Sequence, residues 1–173
     1  MKVRKAPRVK YNLGIIYHPA FAIRPYLSIL ENVFGKQDLQ SNVYAFDFTD
    51  YYEEEMGKQL LRVFISCEKL IRPENLPEIK LLTNVLEEKT KKDEGRVVNL
   101  DPGYLDMDKF ILASAKYAPQ KIYLDKGIYA DPALYYYKRS FHPYDWSFPD
   151  FRSAAYNTFF SVVRENYKKQ LRE

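Results

Sequence analysis

Three groups of polar side chains in this sequence combine residue types that can bind or transform a small molecule. The first follows a predicted second strand over 42–48 and contains Asp47, Asp50 and the acidic run 53–55. A carboxyl group flanked by large aromatic rings, as Asp47 is, can have a raised pKa, which a general acid needs. Paired carboxylates could also hold Mg²⁺ through their oxygens. The structural alternative has Asp47 facing solvent and Asp50 capping a short helix.

The second group is a stripe on a predicted helix over 74–92. Lys80, Thr83, Asn84 and Glu87 are three and four residues apart, so their side chains share one face of that helix. The stripe borders the apolar face, which is typical of an ordinary half-exposed boundary. Thr and Asn are indifferent helix formers, however, and a plain solvent face more often uses Lys and Glu. A boundary and a binding surface are both open interpretations.

The third group is Asn99, Asp101 and Tyr104, which lie around the tripeptide Asp-Pro-Gly at 101–103. The tripeptide predicts a type II turn after a strand over 96–100, with Pro second and Gly where φ must be positive. Binding sites often lie on loops that present polar side chains in this way. In the structural alternative, Asp101 bonds only to the local backbone.

Basic side chains could complete a site for an anion. Arg62, Arg96 and Lys116 are the candidates, because Arg matches carboxylate and phosphate in a bidentate manner. Paired surface charges are the commoner outcome for such residues. His18 and His142 each precede Pro and could act as a base or metal ligand, but no third ligand stands at a telling spacing.

The elements that must position these side chains predict an α+β domain with an antiparallel sheet. The first six run β-α-β-β-α-β, the order of the ferredoxin-like split motif. Strands are expected over 11–17, 42–48, 60–67 and 96–100, and helices over 23–34 and 74–92. The extension is a helix over 107–117 capped by Asp106, a hairpin over 121–124 and 128–130, a strand over 134–137, a loop over 141–151 and a final helix capped by Ser153. Residues 1–10 are predicted to form a flexible basic arm, and residues 11–173 a single domain.

Composition excludes several classes of protein. The chain has 173 residues, a net charge of +4 and one Cys, so no internal disulfide can form. With two His and one Cys, a structural zinc site of the usual spacing is excluded. The sequence has no Walker-type phosphate loop, no dinucleotide fingerprint and no nucleophile elbow. The apolar segment 13–16 is too short for a signal peptide or membrane span, so a cytoplasmic protein is expected.

Several short strings resemble a known bacterial family. They are Phe-Asp-Phe-Thr-Asp-Tyr-Tyr at 46–52 with Glu-Met-Gly at 55–57, Ile-Lys at 79–80 with Thr-Asn at 83–84, Asn-Leu-Asp-Pro-Gly-Tyr-Leu at 99–105, Leu-Ala-Ser at 112–114 with Lys116, and Ile-Tyr-Leu at 122–124 with Gly-Ile-Tyr-Ala at 127–130. Together they resemble the family catalogued as domain of unknown function 4416, from about residue 13 to the C-terminus. The resemblance implies a grouping and no mechanism.

Three functions are open from the sequence. In the first, the protein binds a small anionic ligand: Asp47, Asp50 and Asp101 supply acid, base or metal ligation, and the other polar residues hold the ligand. The ligand-binding set is Arg62, Lys80, Thr83, Asn84, Arg96, Asn99, Tyr104 and Lys116. In the second, the basic arm and the 16 Tyr serve an RNA-binding module, which predicts exposed rings on an open sheet face. In the third, a broad apolar patch binds a protein partner.

Overall fold

The computed structural model describes residues 2–91 and 95–172. Its strands are β1 (Val9–Tyr17), β2 (Gln37–Gln40), β3 (Tyr44–Ala45), β4 (Leu61–Ile71), β5 (Val98–Leu105), β6 (Lys109–Ser114), β7 (Ile122–Asp125), β8 (Ile128–Tyr137) and β9 (Ser140–Pro143). Its helices are α1 (Ile23–Phe34), α2 (Glu53–Met56), α3 (Leu76–Glu88), α4 (Pro149–Arg152) and α5 (Asn157–Gln170). No helix among the described residues is long and apolar enough to cross a membrane.

One open antiparallel sheet organises the described part of the chain, which confirms the α+β class. Its strand order is β2-β4-β1-β5-β6-β8-β7, with β3 paired to β4 and β9 paired to β8. β1 is therefore central, between β4 and β5. The assignment of the first six elements to a ferredoxin-like motif stays a prediction.

Both faces of the sheet are buried at its centre, whereas the edge strand β7 is exposed along its length. On the α1–α3 face, Leu13, Val63 and Leu100 pack with Leu30 of α1 and Leu86 of α3. The opposite face, called the α5 face below, packs an aromatic cluster against the last two helices. Its rings include Phe64, Phe110, Phe141, Phe151, Phe159 and Phe160. Because both faces are covered there, the face of β4 that carries Arg62 is buried.

A split between β5 and β6 breaks the sheet near its centre. β6 pairs with β5 only at Gly103, Tyr104 and Leu105, whereas β1 follows β5 as far as Val98. Residues 98–102 of β5 therefore have β1 on one side and no strand of the described residues on the other. This split creates an opening lined by strand ends and by α3.

Two sequence predictions around this opening are wrong. The predicted turn at 101–103 is part of the continuous strand β5, where Pro102 faces Leu13 of β1. The predicted helix over 107–117 is strand β6, because its apolar residues 110–113 are buried on both faces of the sheet, a pattern that periodicity cannot distinguish from a buried helix. Asp106 caps a tight turn instead, accepting the N–H groups of Asp108 and Lys109.

Other boundaries also differ from those expected. The predicted second strand is replaced by the short β2 and β3, and the segment 141–151 contains β9 and the start of α4. The predicted strand 134–137 is the end of β8. The hairpin is confirmed, but β7 extends to Asp125, so the loop has two residues and not the three left between the predicted strands. They are Lys126 and Gly127, whose positive φ angles of 53° and 76° suit a two-residue loop.

Each end of the chain carries a further difference. β1 begins at Val9, and the side chain of Lys10 is fully buried, so these two residues belong to the sheet and not to a flexible arm. The predicted end of the helix over 74–92 lies outside the described residues, and α3 is observed to Glu88. Ser153 does not cap α5, which begins at Asn157. Its hydroxyl bonds to the carbonyl of Asp150 in α4.

Candidate functional site

A cavity of about 490 Å³, here called the β5–β6 cavity, lies at the split in the sheet. Residues from α3, β4, β5, β6, β8 and α4 line it, together with the segment before α2. Nine of its lining side chains are charged: Arg62, Lys80, Glu87, Arg96, Asp101, Lys116, Lys121, Asp131 and Asp150. Aromatic rings complete the wall: Phe46, Tyr51, Tyr52, Tyr117 and Phe148. Such a volume is typical of sites for small molecules.

A continuous chain of hydrogen bonds crosses the floor of the cavity. Nη1 of Arg96 donates to Oδ1 of Asn99 at 3.1 Å, and the amide of Asn99 donates to Oδ1 of Asp101 at 2.8 Å. Oδ2 of Asp101 accepts from Nη2 of Arg62 at 3.0 Å, and Nη1 of Arg62 donates to Asp150 at 2.5 Å. The chain fixes the Asp101 carboxylate from both sides while leaving it part-exposed to the cavity.

Arg62 is almost fully buried, with a side chain only 4% exposed. Its guanidinium crosses β1 over Gly14, where an added Cβ would lie 2.9 Å from Nη2. The rings of Phe46, Phe64 and Phe151 lie within 5.5 Å of it and form cation–π contacts. The absence of a side chain at position 14 is therefore what allows Arg62 of β4 to reach β5.

Two side chains of α3 replace the missing strand beside β5. Lys80 donates to the carbonyl of Leu100 at 2.9 Å, and Glu87 accepts the N–H of the same residue at 2.8 Å. Glu87 also accepts from Nη1 of Arg96 at 2.6 Å. Burial raises the pKa of Glu87, and Lys80 opposes that rise. The Lys80–Glu87 pair therefore has a structural task, since it satisfies backbone groups that the split leaves unpaired.

A second ionic group lies on the β6–β8 wall. Lys121 forms an ion pair with Asp131 at 3.2 Å and donates to the hydroxyl of Ser114 at 2.8 Å. The side chains of Lys121 and Asp131 are 8% and 7% exposed. Burial raises the pKa of Asp131, and Lys121 lowers it in part. Ser114 thus presents a hydroxyl to the cavity beside a buried amine–carboxylate pair.

The segment leading into α2 borders the cavity. Nζ of Lys116 lies 4.5 Å from the ring centre of Tyr51, whose ring packs edge-on against Tyr52. Glu55 accepts two hydrogen bonds of 2.7 Å from Arg96, a bidentate pair that ties α2 to the start of β5. The hydrogen bonds from Arg96 hold the pKa of Glu55 below its usual value.

Seven of the eleven residues singled out in the sequence line the cavity. They are Arg62, Lys80, Asn84, Arg96, Asn99, Asp101 and Lys116. Asp47 and Asp50 are exposed and lie outside the lining. The structural alternative is met for Asp47, whereas α2 begins after Tyr52 with no side-chain cap, so Asp50 does not cap it. Thr83 is fully buried and donates to the carbonyl of Lys80, and Tyr104 packs against the small cluster of Ile111 and Ala113.

Besides its tyrosines, the lining has six polar residues that were not among those eleven. They are Thr49, Glu87, Ser114, Lys121, Asp131 and Asp150. Glu87 belongs to the α3 stripe, and Ser114 belongs to one of the strings that resemble the family. The sequence therefore pointed to the segments that contain these two residues. Asp131 is an acid inside the largely apolar strand β8, a pattern that can indicate a functional carboxylate. Asp150 lies in a segment interpreted as a loop, and nothing in its local pattern indicates a contact with Arg62.

Metal ligation has no support in the described residues. Among residues 2–91 and 95–172, no group of three His, Cys, Asp or Glu side chains is placed to hold an ion. The carboxylates of the cavity are engaged by Arg62, Arg96, Lys80 and Lys121. Mg²⁺ binding stays a prediction from the sequence.

Comparison with known proteins gives a family and no activity. No curated protein and no solved structure matches the chain. One family model, described as Domain of unknown function (DUF4416), matches residues 7–167. That match includes every residue of the cavity lining. The chain therefore belongs to the DUF4416 family.

Proposed function

We propose that the protein binds a small anionic metabolite in the β5–β6 cavity. The observation that carries this proposal is the convergence of nine charged side chains on one cavity. Buried ion pairs are poor sources of stability, because the desolvation of both charges offsets their attraction. Charged side chains gathered around a cavity are typical of a functional site.

The position of Lys116 supports a ligand that carries carboxylate or phosphate. Arg62, Lys80, Arg96 and Lys121 each have a carboxylate partner within 4.0 Å. Among the residues that the structure describes, Lys116 faces only the ring of Tyr51 and is in no ion pair. Its ammonium group is available to an anion at the mouth of the cavity.

The lining also favours a ligand with an apolar or ring-shaped body. Tyr51, Tyr52, Tyr117 and Phe148 present rings beside Lys116, and rings of this kind contact ligands over a large area. The part-exposed carboxylate of Asp101 can accept hydrogen bonds from hydroxyl or amine groups of the same ligand. Of the three carboxylates proposed as acid or base, Asp101 is the one that lines the cavity.

A thermal-shift screen of the purified chain tests the proposal. The probes are phosphorylated and carboxylated metabolites, with inorganic phosphate and acetate as fragments. A ligand at about 100 times its Kd stabilises the native state by roughly 2.7 kcal/mol, and the melting temperature rises accordingly. Lys116→Gln should abolish the shift. Lys36→Gln, which removes an exposed amine paired with Glu68, is the matched control and should retain it.

RNA binding is the second candidate, because exposed rings lie on β8 and just after β9. Tyr137 and Trp146 are 56% and 46% exposed, and Lys138 lies 5.3 Å from the ring of Tyr137. Trp146, however, already stacks on Tyr144 at 4.8 Å, which leaves one face for a base. A shift with short single-stranded RNA that weakens steeply with salt, and that Lys116→Gln does not change, would replace the cavity proposal with this one.

A further inference from the structure

We infer that Ser114 is a covalent nucleophile for acyl transfer, with Lys121 as its base and Asp131 as the partner of that base. The inference rests on the proposed function, because the acyl group must belong to a ligand of the β5–β6 cavity. It adds a reaction class and a reacting atom, the hydroxyl oxygen of Ser114. All three side chains line the cavity.

The three side chains have the geometry of a nucleophile, a base and an orienting group. Nζ of Lys121 donates to Oγ of Ser114 at 2.8 Å and lies 3.2 Å from Oδ2 of Asp131. The hydroxyl of Ser114 donates to the carbonyl of Lys116 at 3.1 Å and must turn toward Nζ to give up its proton there. Hydrogen-bond reach between nucleophile and base, with the base held by a third group, is the requirement for an activated serine. Ser–Lys pairs perform this task in other enzymes that use a serine nucleophile.

The sheet fixes this arrangement. Ser114 ends β6 opposite Tyr129 of β8, and Leu112, two residues earlier, is opposite Asp131. Side chains two residues apart on a strand lie on the same face, so Ser114 and Asp131 share the α5 face. Lys121 lies just before β7, and its amine reaches between them. Sites built on strands hold their reacting groups more precisely than sites built on loops.

The base must be a neutral amine, and the buried carboxylate supplies the means. At rest the amine of Lys121 and the carboxylate of Asp131 form an ion pair at 3.2 Å. When a ligand closes the cavity and excludes water, the separated charges lose solvation, which favours transfer of the proton to Asp131. The rise that burial causes in the pKa of Asp131 acts in the same direction.

The transfer then balances in atoms and electrons. Oγ of Ser114 bonds to the acyl carbon while its proton moves to Nζ of Lys121. The bond to the leaving group breaks, and the leaving group takes that proton from Nζ. Water repeats the sequence on the acyl-serine, so that the acid and free Ser114 are released. The backbone N–H of Lys116 donates to Oγ at 3.1 Å, which stabilises the negative charge on this oxygen while its proton leaves.

The chemistry of the cavity defines the substrate class. It is an ester or thioester of a small acid that carries an anionic group. The anion lies near Lys116, two residues from Ser114, and the acyl carbon near Oγ. The leaving group is an alcohol or thiol, which departs with the proton that Nζ returns.

The test is covalent labelling of the full chain with a fluorophosphonate probe, which phosphonylates an activated serine with loss of fluoride. Intact mass and peptide mapping should place one adduct on Ser114. Ser114→Ala should remove it. Ser28→Ala changes an exposed serine on α1 and should leave the labelling rate of Ser114 unchanged. Folded wild-type protein without an adduct on Ser114 would overturn the inference.

Lys121→Arg separates a base from a structural partner. Arginine keeps the positive charge opposite Asp131 but stays protonated, so it cannot accept the serine proton. We expect a loss of labelling rate of about 100-fold or more, the usual contribution of a general base, with the fold retained. Should the melting temperature drop sharply, Lys121→Met provides a second base-free side chain. Labelling of a folded variant at the wild-type rate would contradict the inference.

The same variants separate failure of this inference from failure of the proposed function. Ser114→Ala should keep the Lys116-dependent thermal shift with the anionic probe, because it removes only the reacting atom. A shift without an adduct overturns acyl transfer and leaves anion binding in place. An adduct without any shift supports acyl transfer and contradicts an anionic group on the ligand.

Discussion

Arg62 reaches Asp101 by crossing Gly14, where a Cβ would lie 2.9 Å from Nη2 of the arginine and 3.0 Å from Cε1 of Phe64. The register places Gly14 opposite Asp101 on one side and Phe64 on the other. β4 can therefore place a guanidinium on the far side of β1. Arg62 can reach the cavity because residue 14 has no Cβ.

Gly14→Ala should destabilise the protein and disturb the cavity together. Arg62 is buried and cannot swing away, so overpacking should cost about 1–3 kcal/mol. Urea denaturation measures the loss, and the thermal shift with an anionic probe measures the site. In an Arg62→Met background the same change should cost less. An equal cost in both backgrounds would show that the clash with Phe64, and not with Arg62, dominates.

Removing Arg62 should be more harmful than removing it together with its acidic partner. Arg62→Met leaves Asp150 buried, with a side chain 2% exposed and only the hydroxyl of Tyr156 as a remaining side-chain bond. Breaking a buried ion pair in this way costs about 3–5 kcal/mol. The double variant Arg62→Met, Asp150→Asn should recover part of that loss, because the buried side chain at position 150 is then neutral, while Asp101, which also loses Arg62, is part-exposed and keeps its bond from Asn99. Additive losses in a double-mutant cycle would refute this coupling.

Glu87 should protect one backbone amide. Its Oε1 accepts the N–H of Leu100 at 2.8 Å, on the side of β5 that has no neighbouring strand. Glu87→Leu leaves that N–H buried and unpaired, which should cost about 1–3 kcal/mol. Glu87→Gln keeps an acceptor and should cost less. Hydrogen exchange at Leu100 should accelerate in the leucine variant alone, and equal exchange in both variants would show that another group protects this amide.

The pair of Glu55 and Arg96 should make stability depend on pH in the acid range. The pKa of Glu55 is lowered from 4.5 in the folded state, chiefly by the hydrogen bonds from Arg96. A lowered folded pKa gives stability that is complete above the ordinary value and is lost as pH falls through the folded value. The carboxylate is 37% exposed, so the effect should be about 1 kcal/mol or less.

Glu55→Gln provides the measurement for this pH dependence. The difference in unfolding free energy between wild type and variant should be constant at neutral pH and shrink below pH 4.5. In an Arg96→Gln background the difference should no longer vary with pH. A difference that grows on acidification would mean that Glu55 is destabilised by its surroundings, contrary to its two hydrogen bonds with Arg96.

Local pattern was sufficient for several elements. The alternation at 61–67 predicts β4, the apolar spacing at 159–167 predicts α5, and Gly35 ends α1 with a φ of 98°. Each of these signals acts within a few residues, where periodicity and backbone freedom decide the conformation. The same logic found the β7–β8 hairpin. It failed at β6, because a strand buried on both faces has no alternation to detect.

The sequence by itself determined which residue types were available for a site, and seven of its candidates line one cavity. Only the tertiary structure decided which of them meet. Asp150 and Arg62 are 88 residues apart in sequence, and their contact depends on α4 packing over the α5 face. Asp47, promising in sequence beside two rings, is exposed. Long-range packing determines the burial and partners of a carboxylate, and these determine its chemistry.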